Sequence, residues 1–152
     1  MIGRLGAVDY GRKRIGLAVC DALGITVTGL DTLVRTGTVE QAVAAVAGLL
    51  EERDVVKVVV GLPLHADGRP SEMSREAQGF GDALAATMGK PVVYVDEGLT
   101  SWEAEEDLKA AGKRLEKARK AGDVDRAAAV SILRSYLREE ESRGAALPPD
   151  LD

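Results

Sequence analysis

The stretch GAVDYGRKRIGLAV, residues 6–19, reads as two apolar strands joined by a tight turn, and it carries one acid where a strand normally has none. Asp9 closes the first strand; Gly11 opens the turn, and Arg12, Lys13 and Arg14 follow at once. Short spacing between apolar runs favours a hairpin and therefore antiparallel neighbours. The pattern predicts strands over 5–10 and 14–20 and, from ITVTGLDTLV, a third over 25–34.

Beyond this meander the periodicity changes. Thr38 and Gln41 form a capping box ahead of Val39, Ala42, Val43, Val46 and Leu50, a helical spacing that predicts a helix to about Arg53. VVKVVVGL at 55–62 is nearly all β-branched, as expected of a strand covered on both faces in a parallel arrangement. PVVYVDE at 91–97 is a second such strand. Between them the turn-forming GLPLHADGRP leads to Ser71, a capping residue for the helix that follows. Thr100 and Glu103 box the start of another helix, KRLEKARK at 113–120 reads as a mobile basic segment, and a last helix spans about 124–140. The expected fold is α/β: one mixed five-stranded sheet of order 3-2-1-4-5 with helices on both faces. It forms a single domain over 1–140 and leaves a flexible tail over 141–152.

With an apolar share of 45% and a charged share of 30%, the chain falls in the soluble globular class. No apolar run reaches the roughly 18 residues of a membrane span, and no export signal opens the chain. One cysteine, Cys20, permits no internal disulfide. Together these features predict a cytoplasmic protein without a membrane partner. The net charge of −5 counts against coating nucleic acid by general electrostatics, although 113–120 is locally basic.

The acids carry the chemistry. Asp9 ends the first strand and Asp96 and Glu97 end the last, where alternation lets only one of the two share a face with Asp9. Asp125 is in register with Ala128, Ala129, Ile132, Leu133 and Tyr136, the stripe that must meet the sheet. Asp123, about 200° away by helical rotation, is better placed as an N-cap. Asp9, Glu97 and Asp125 are thereby expected to converge at one sheet edge, where ligands of open α/β sheets bind. Three neighbouring carboxylates repel unless a cation neutralises them, and hard oxygen donors select Mg²⁺ or Mn²⁺. Paired divalent ions of this kind serve phosphodiester hydrolysis. Each acid taken singly also has a structural reading, as a turn cap or a helix N-terminal charge.

Four segments, VDYGRKRIGLAV (8–19), VVVGLPLHADGRPS (58–71), VVYVDEGLTSWEAEEDL (92–108) and DRAAAVSILRSYL (125–137), resemble in this order the YqgF family, also called RuvX or Holliday-junction-resolvase-like. The resemblance implies an RNase H-like fold and a metal-dependent nuclease that processes the 5′ end of the 16S ribosomal RNA precursor. Its acids carry over onto Asp9, Glu97 and Asp125. Gly98 stands where the family typically has arginine, and His65 where its loop commonly has asparagine.

Candidate substrate contacts are the turn cations Arg12, Lys13 and Arg14 together with Ser71, Thr100 and Ser101, near strand ends or a helix start. Each has a plainer role as a solvated hairpin tip or a cap. Trp102 offers a stacking ring, but with aromatics at 3% no extended platform is expected. His65, a lone loop histidine, is expected to be an exposed polar residue. The expected partner is structured RNA or branched or single-stranded DNA; resolving a junction symmetrically would further require a homodimer. Competing readings are a nucleic-acid-binding module with little activity and, from the 8–19 turn, an actin-like nucleotide clasp. That clasp needs two such domains, and the chain lacks a Gly-Lys-Ser/Thr signature.

Overall fold

The structure, a computed structural model, describes residues 3–97 and 123–146. Its elements are β1 (Arg4–Asp9), β2 (Arg14–Cys20), β3 (Val27–Gly29), β4 (Leu33–Val34), α1 (Val39–Glu51), β5 (Val55–Leu62), α2 (Glu72–Met88), β6 (Val92–Asp96) and α3 (Asp123–Ala146). The sheet runs β3-β2-β1-β5-β6, with β4 also pairing β2. β1 is antiparallel to β2, with Asp9 opposite Gly16, and parallel to β5, which is parallel to β6.

The expected third strand is broken in two, so the sheet has six strands and not five. Gly29 pairs with Ala18 and Leu33 with Ile15. Between those pairs β2 supplies Gly16 and Leu17 while its partner supplies Leu30, Asp31 and Thr32. The extra residue cannot be accommodated in a regular ladder and bulges out, with the Leu30 amide still donating to the Leu17 carbonyl at 2.9 Å. Otherwise the predicted order holds.

The caps predicted at Thr38 and Ser71 form. Thr38 and Gln41 exchange side-chain and backbone bonds at the start of α1, and Ser71 and Ser74 do the same for α2. Gly89 at the end of α2 adopts φ 64°, a left-handed cap that glycine takes without steric cost. α3 continues to Ala146, so residues 141–146 of the expected tail are helical.

Alternation along the strands divides the core. Val8, Tyr10, Ile15, Leu17, Val58 and Val60 pack under α1 and α2 around Phe80 and Leu84. Leu5, Ala7, Ala18, Cys20 and Val59 face the other way, under Ala129, Ile132, Leu133 and Tyr136 of α3. The helical stripe predicted for α3 is therefore the face that meets the sheet. Among the described residues no helix is long and apolar enough to cross a membrane.

Candidate active site

Asp9 follows Ala7 by two positions and so projects on the α3 side of the sheet, while Tyr10 projects on the other. The same parity settles the choice at the end of β6. Val93 and Val95 pack in the α3 cluster and Val92 and Tyr94 in the opposite one, which places Glu97 and not Asp96 in step with Asp9. Glu97 lies one residue past the strand, in a short 3₁₀ turn.

Two glycines clear the space these acids share. Gly16, opposite Asp9, lies against the backbone of Asp125, and a β-carbon there would collide with the Asp125 carbonyl oxygen. Gly61 on β5 would place a β-carbon 2.6 Å from Ile132 Cδ1 and 3.4 Å from Glu97 Cγ. With no side chain at either position, the first turn of α3 settles on one flank of Asp9 and the Glu97 side chain passes over β5 on the other.

The start of α3 is tied down by its neighbour. Arg126 donates from Nε to the Leu30 carbonyl at 2.9 Å and from Nη2 to Asp31 Oδ1 at 3.0 Å. It thus takes up a carbonyl that the bulge leaves outside the ladder. Asp125 pairs with Arg14 through Nε at 3.2 Å.

Burial is the largest influence on Asp9, followed by its hydrogen bond with Glu97 and then by the charges of Glu97 and Asp125. Together they raise its pKa from an ordinary 3.8 to about 9. An anion at Asp9 is thus poorly supported by the protein alone. Among the described residues no three acidic, histidine or cysteine side chains are gathered closely enough to hold a metal ion as they stand. The donor chemistry nevertheless suits a hard divalent cation, since carboxylate oxygens are the ligands such ions take. Charge neutralisation is what the crowded acids lack. Side-chain rotation, including exchange of Arg14 away from Asp125, would be needed to gather all three.

The predicted substrate contacts divide. Lys13 and Arg14 are exposed on the turn beside Asp9. Arg12 is also exposed but turns toward α2, where it pairs with Glu72 and Glu76. Ser71 donates to the Pro63 carbonyl at 2.5 Å and accepts from the Ser74 amide at 3.0 Å, so its hydroxyl ties the loop to α2. His65 is exposed in a turn closed by bonds between His65 and Arg69 and between Gly68 and His65. Asp123 is the first residue of α3, its side chain outside those described. Thr100, Ser101, Gly98, Trp102 and the 113–120 segment lie outside the described residues.

Sequence reading missed Arg126, and it gave Gly61 only a turn-forming role and Gly16 only a backbone one. It also missed the linkage in which Arg35 donates to the Tyr10 hydroxyl at 2.9 Å and to the Gly11 carbonyl at 3.1 Å. A glycine opposite an acid at a strand tip was the one available signal.

The sequence model of the RuvX family, described as Holliday junction resolvase, matches residues 3–139. A protein of Picosynechococcus named "Putative pre-16S rRNA nuclease" is 45% identical over 142 residues, covering 93% of this chain and 94% of that protein. One of the same name from Syntrophus aciditrophicus is 43% identical over 134 residues, covering 88% and 87%. Among solved structures, the RuvC of T. thermophilus in complex with Holliday junction substrate superposes with a TM-score of 0.58. At 18% identity it covers 91% of this chain and 96% of its own, a likeness that shows the RNase H-like fold. Matched by the family's sequence model over residues 3–139 and by these relatives over most of its length, the chain belongs to the RuvX family.

Proposed function

We propose that the chain is a divalent-cation-dependent nuclease that hydrolyses phosphodiester bonds at the edge formed by Asp9, Glu97 and Asp125, acting in the cytoplasm on the 5′ end of 16S ribosomal RNA precursor. One observation supports the reading: Asp9 of β1 is hydrogen-bonded to Glu97 at the end of β6, feels the charge of Asp125 at the start of α3, and is left as a poorly supported anion. The names of the relatives supply the substrate.

In this reading Asp9, Glu97 and Asp125 hold Mg²⁺ or Mn²⁺ through their carboxylate oxygens. When bound, the cation neutralises the charge that builds on the phosphoryl oxygens and favours attack by water. Lys13 and Arg14 take the flanking phosphates, fixing the strand across the edge. Loading requires Asp9 to give up the proton it shares with Glu97. Gly16 and Gly61, having no side chains, let the start of α3 and the Glu97 side chain approach the sheet beside Asp9.

A panel of 5′-labelled 16S precursor, single-stranded DNA and four-way junction, each with Mg²⁺ or Mn²⁺, tests this. Cleavage of the precursor that disappears in Asp9→Asn supports the reading, and cleavage that survives the substitution removes it. The family's description favours a second reading, resolution of branched DNA by a pair of copies. Junction cleavage in symmetric nicks, with the precursor left intact, would select it.

A further inference from the structure

Arg12 stands three residues after Asp9, on the turn that leads into β2, yet its guanidinium faces away from the acids. Its Nε lies 3.0 Å and 3.2 Å from the two Glu76 oxygens, and its Nη2 reaches both Glu76 and, at 3.3 Å, Glu72. Glu76 is fixed in turn: the Tyr10 hydroxyl donates to it at 3.3 Å, and the Tyr10 ring is buried against Phe80. The acceptor is thus rigid and partly buried, whereas the Arg12 side chain is 54% exposed. An ion pair so open to water is modest, the forked geometry placing it at the stronger end of exposed pairs. A backbone phosphate offers the same planar, two-oxygen match to a guanidinium and brings its neighbours' charge as well.

We propose that Glu76, with Glu72 beside it, is an internal competitor that parks Arg12 on α2 and yields it to a phosphate when nucleic acid binds. This rests on the nuclease reading of the adjacent edge. Glu76 is then a positioning residue: it sets how tightly the turn grips its substrate without touching it. Arg12 joins Lys13 and Arg14 only in the complex, and the parked state lowers affinity by the worth of the pair.

The test is equilibrium binding of a labelled single-stranded RNA by the full chain in Mg²⁺ across a salt series, in an Asp9→Asn background that prevents cleavage. Arg12→Ala is expected to reduce the slope of log affinity against log salt by about 0.7, the contribution of one single-strand phosphate. Glu76→Gln is expected to tighten binding about two- to fivefold, and the gain is expected to vanish when Arg12→Ala is added. Glu72→Gln, on a side chain that is 84% exposed, is expected to give a smaller gain of the same kind. A slope unaffected by Arg12→Ala overturns the proposal. So does a Glu76→Gln gain that persists without Arg12, which would mark a general field effect. Failure of the parent chain to bind any nucleic acid would instead remove the nuclease reading and this one with it.

Discussion

The carboxyl groups of Asp9 and Glu97 are hydrogen-bonded to each other across the end of β5, so that a proton is held between side chains that water would leave ionised. The folded chain therefore keeps Asp9 protonated over a range in which the unfolded chain releases it. Because the folded value is the higher one, stability from this group is full below about pH 4 and falls as pH rises toward about 9. Asp9→Asn removes that loss. In chelator at pH 7 the variant is expected to be more stable by about 0.5–2 kcal/mol. Thermal melts at several pH values should show a flatter profile than the parent, and parallel profiles would refute this.

A cation that binds only the folded edge must stabilise it by mass action. At a free Mn²⁺ concentration about 100 times its dissociation constant, the parent chain is expected to gain about 2.7 kcal/mol. Asp9→Asn is expected to gain little. Calorimetric melts with and without the ion separate the two outcomes independently of any cleavage assay.

Two glycines in different surroundings give a matched pair of substitutions. At Gly16 a methyl group meets the Asp125 carbonyl, whereas at Gly48 in α1 nothing lies within 4 Å. Gly16→Ala is expected to cost about 1–3 kcal/mol, since the start of α3 must shift. It should also depress activity through the displaced Asp125. Gly48→Ala is expected to stabilise by about 0.5–1 kcal/mol, through helix propensity alone. Urea titration of both variants reads the contrast.

Arg126 holds the start of α3 to the bulged edge through Leu30 and Asp31. Arg126→Ala is expected to destabilise by about 1–2 kcal/mol, mostly from the carbonyl that loses its charged donor. Cleavage should fall further than stability alone explains, because Asp125 is the adjacent residue. An unchanged rate at a temperature where the variant is fully folded would disconnect the tether from the chemistry.

What could be read from the residues followed the two periodicities. Alternation put Glu97 with Asp9, and the 3.6-residue stripe put Asp125 toward the sheet; Glu97 is hydrogen-bonded to Asp9 and the charge of Asp125 bears on it, without the three being gathered as they stand. The bulge after Gly29 was not readable, because ITVTGLDTLV alternates well enough to pass for one strand and the extra residue is defined only by its pairing with β2. The partners of Arg12 were equally hidden. Glu76 lies 64 positions away, and the ion pair arises because the start of α2 lies beside the turn after β1, which no local pattern encodes. Segment 98–122, with Thr100 and Ser101, lies outside what the structure describes, and those two assignments stay with the sequence.

Asp9 and Tyr10 are consecutive, yet one serves the acids beneath α3 and the other the aromatic packing beneath α2. Insertion or deletion of one residue within β1 would swap the two, sending a phenol among the carboxylates and a carboxylate into the apolar layer. A change of one residue in this strand therefore needs a compensating bulge to keep Asp9 among the acids. Among relatives, any odd gap between Gly6 and Asp9 should be accompanied by such a bulge.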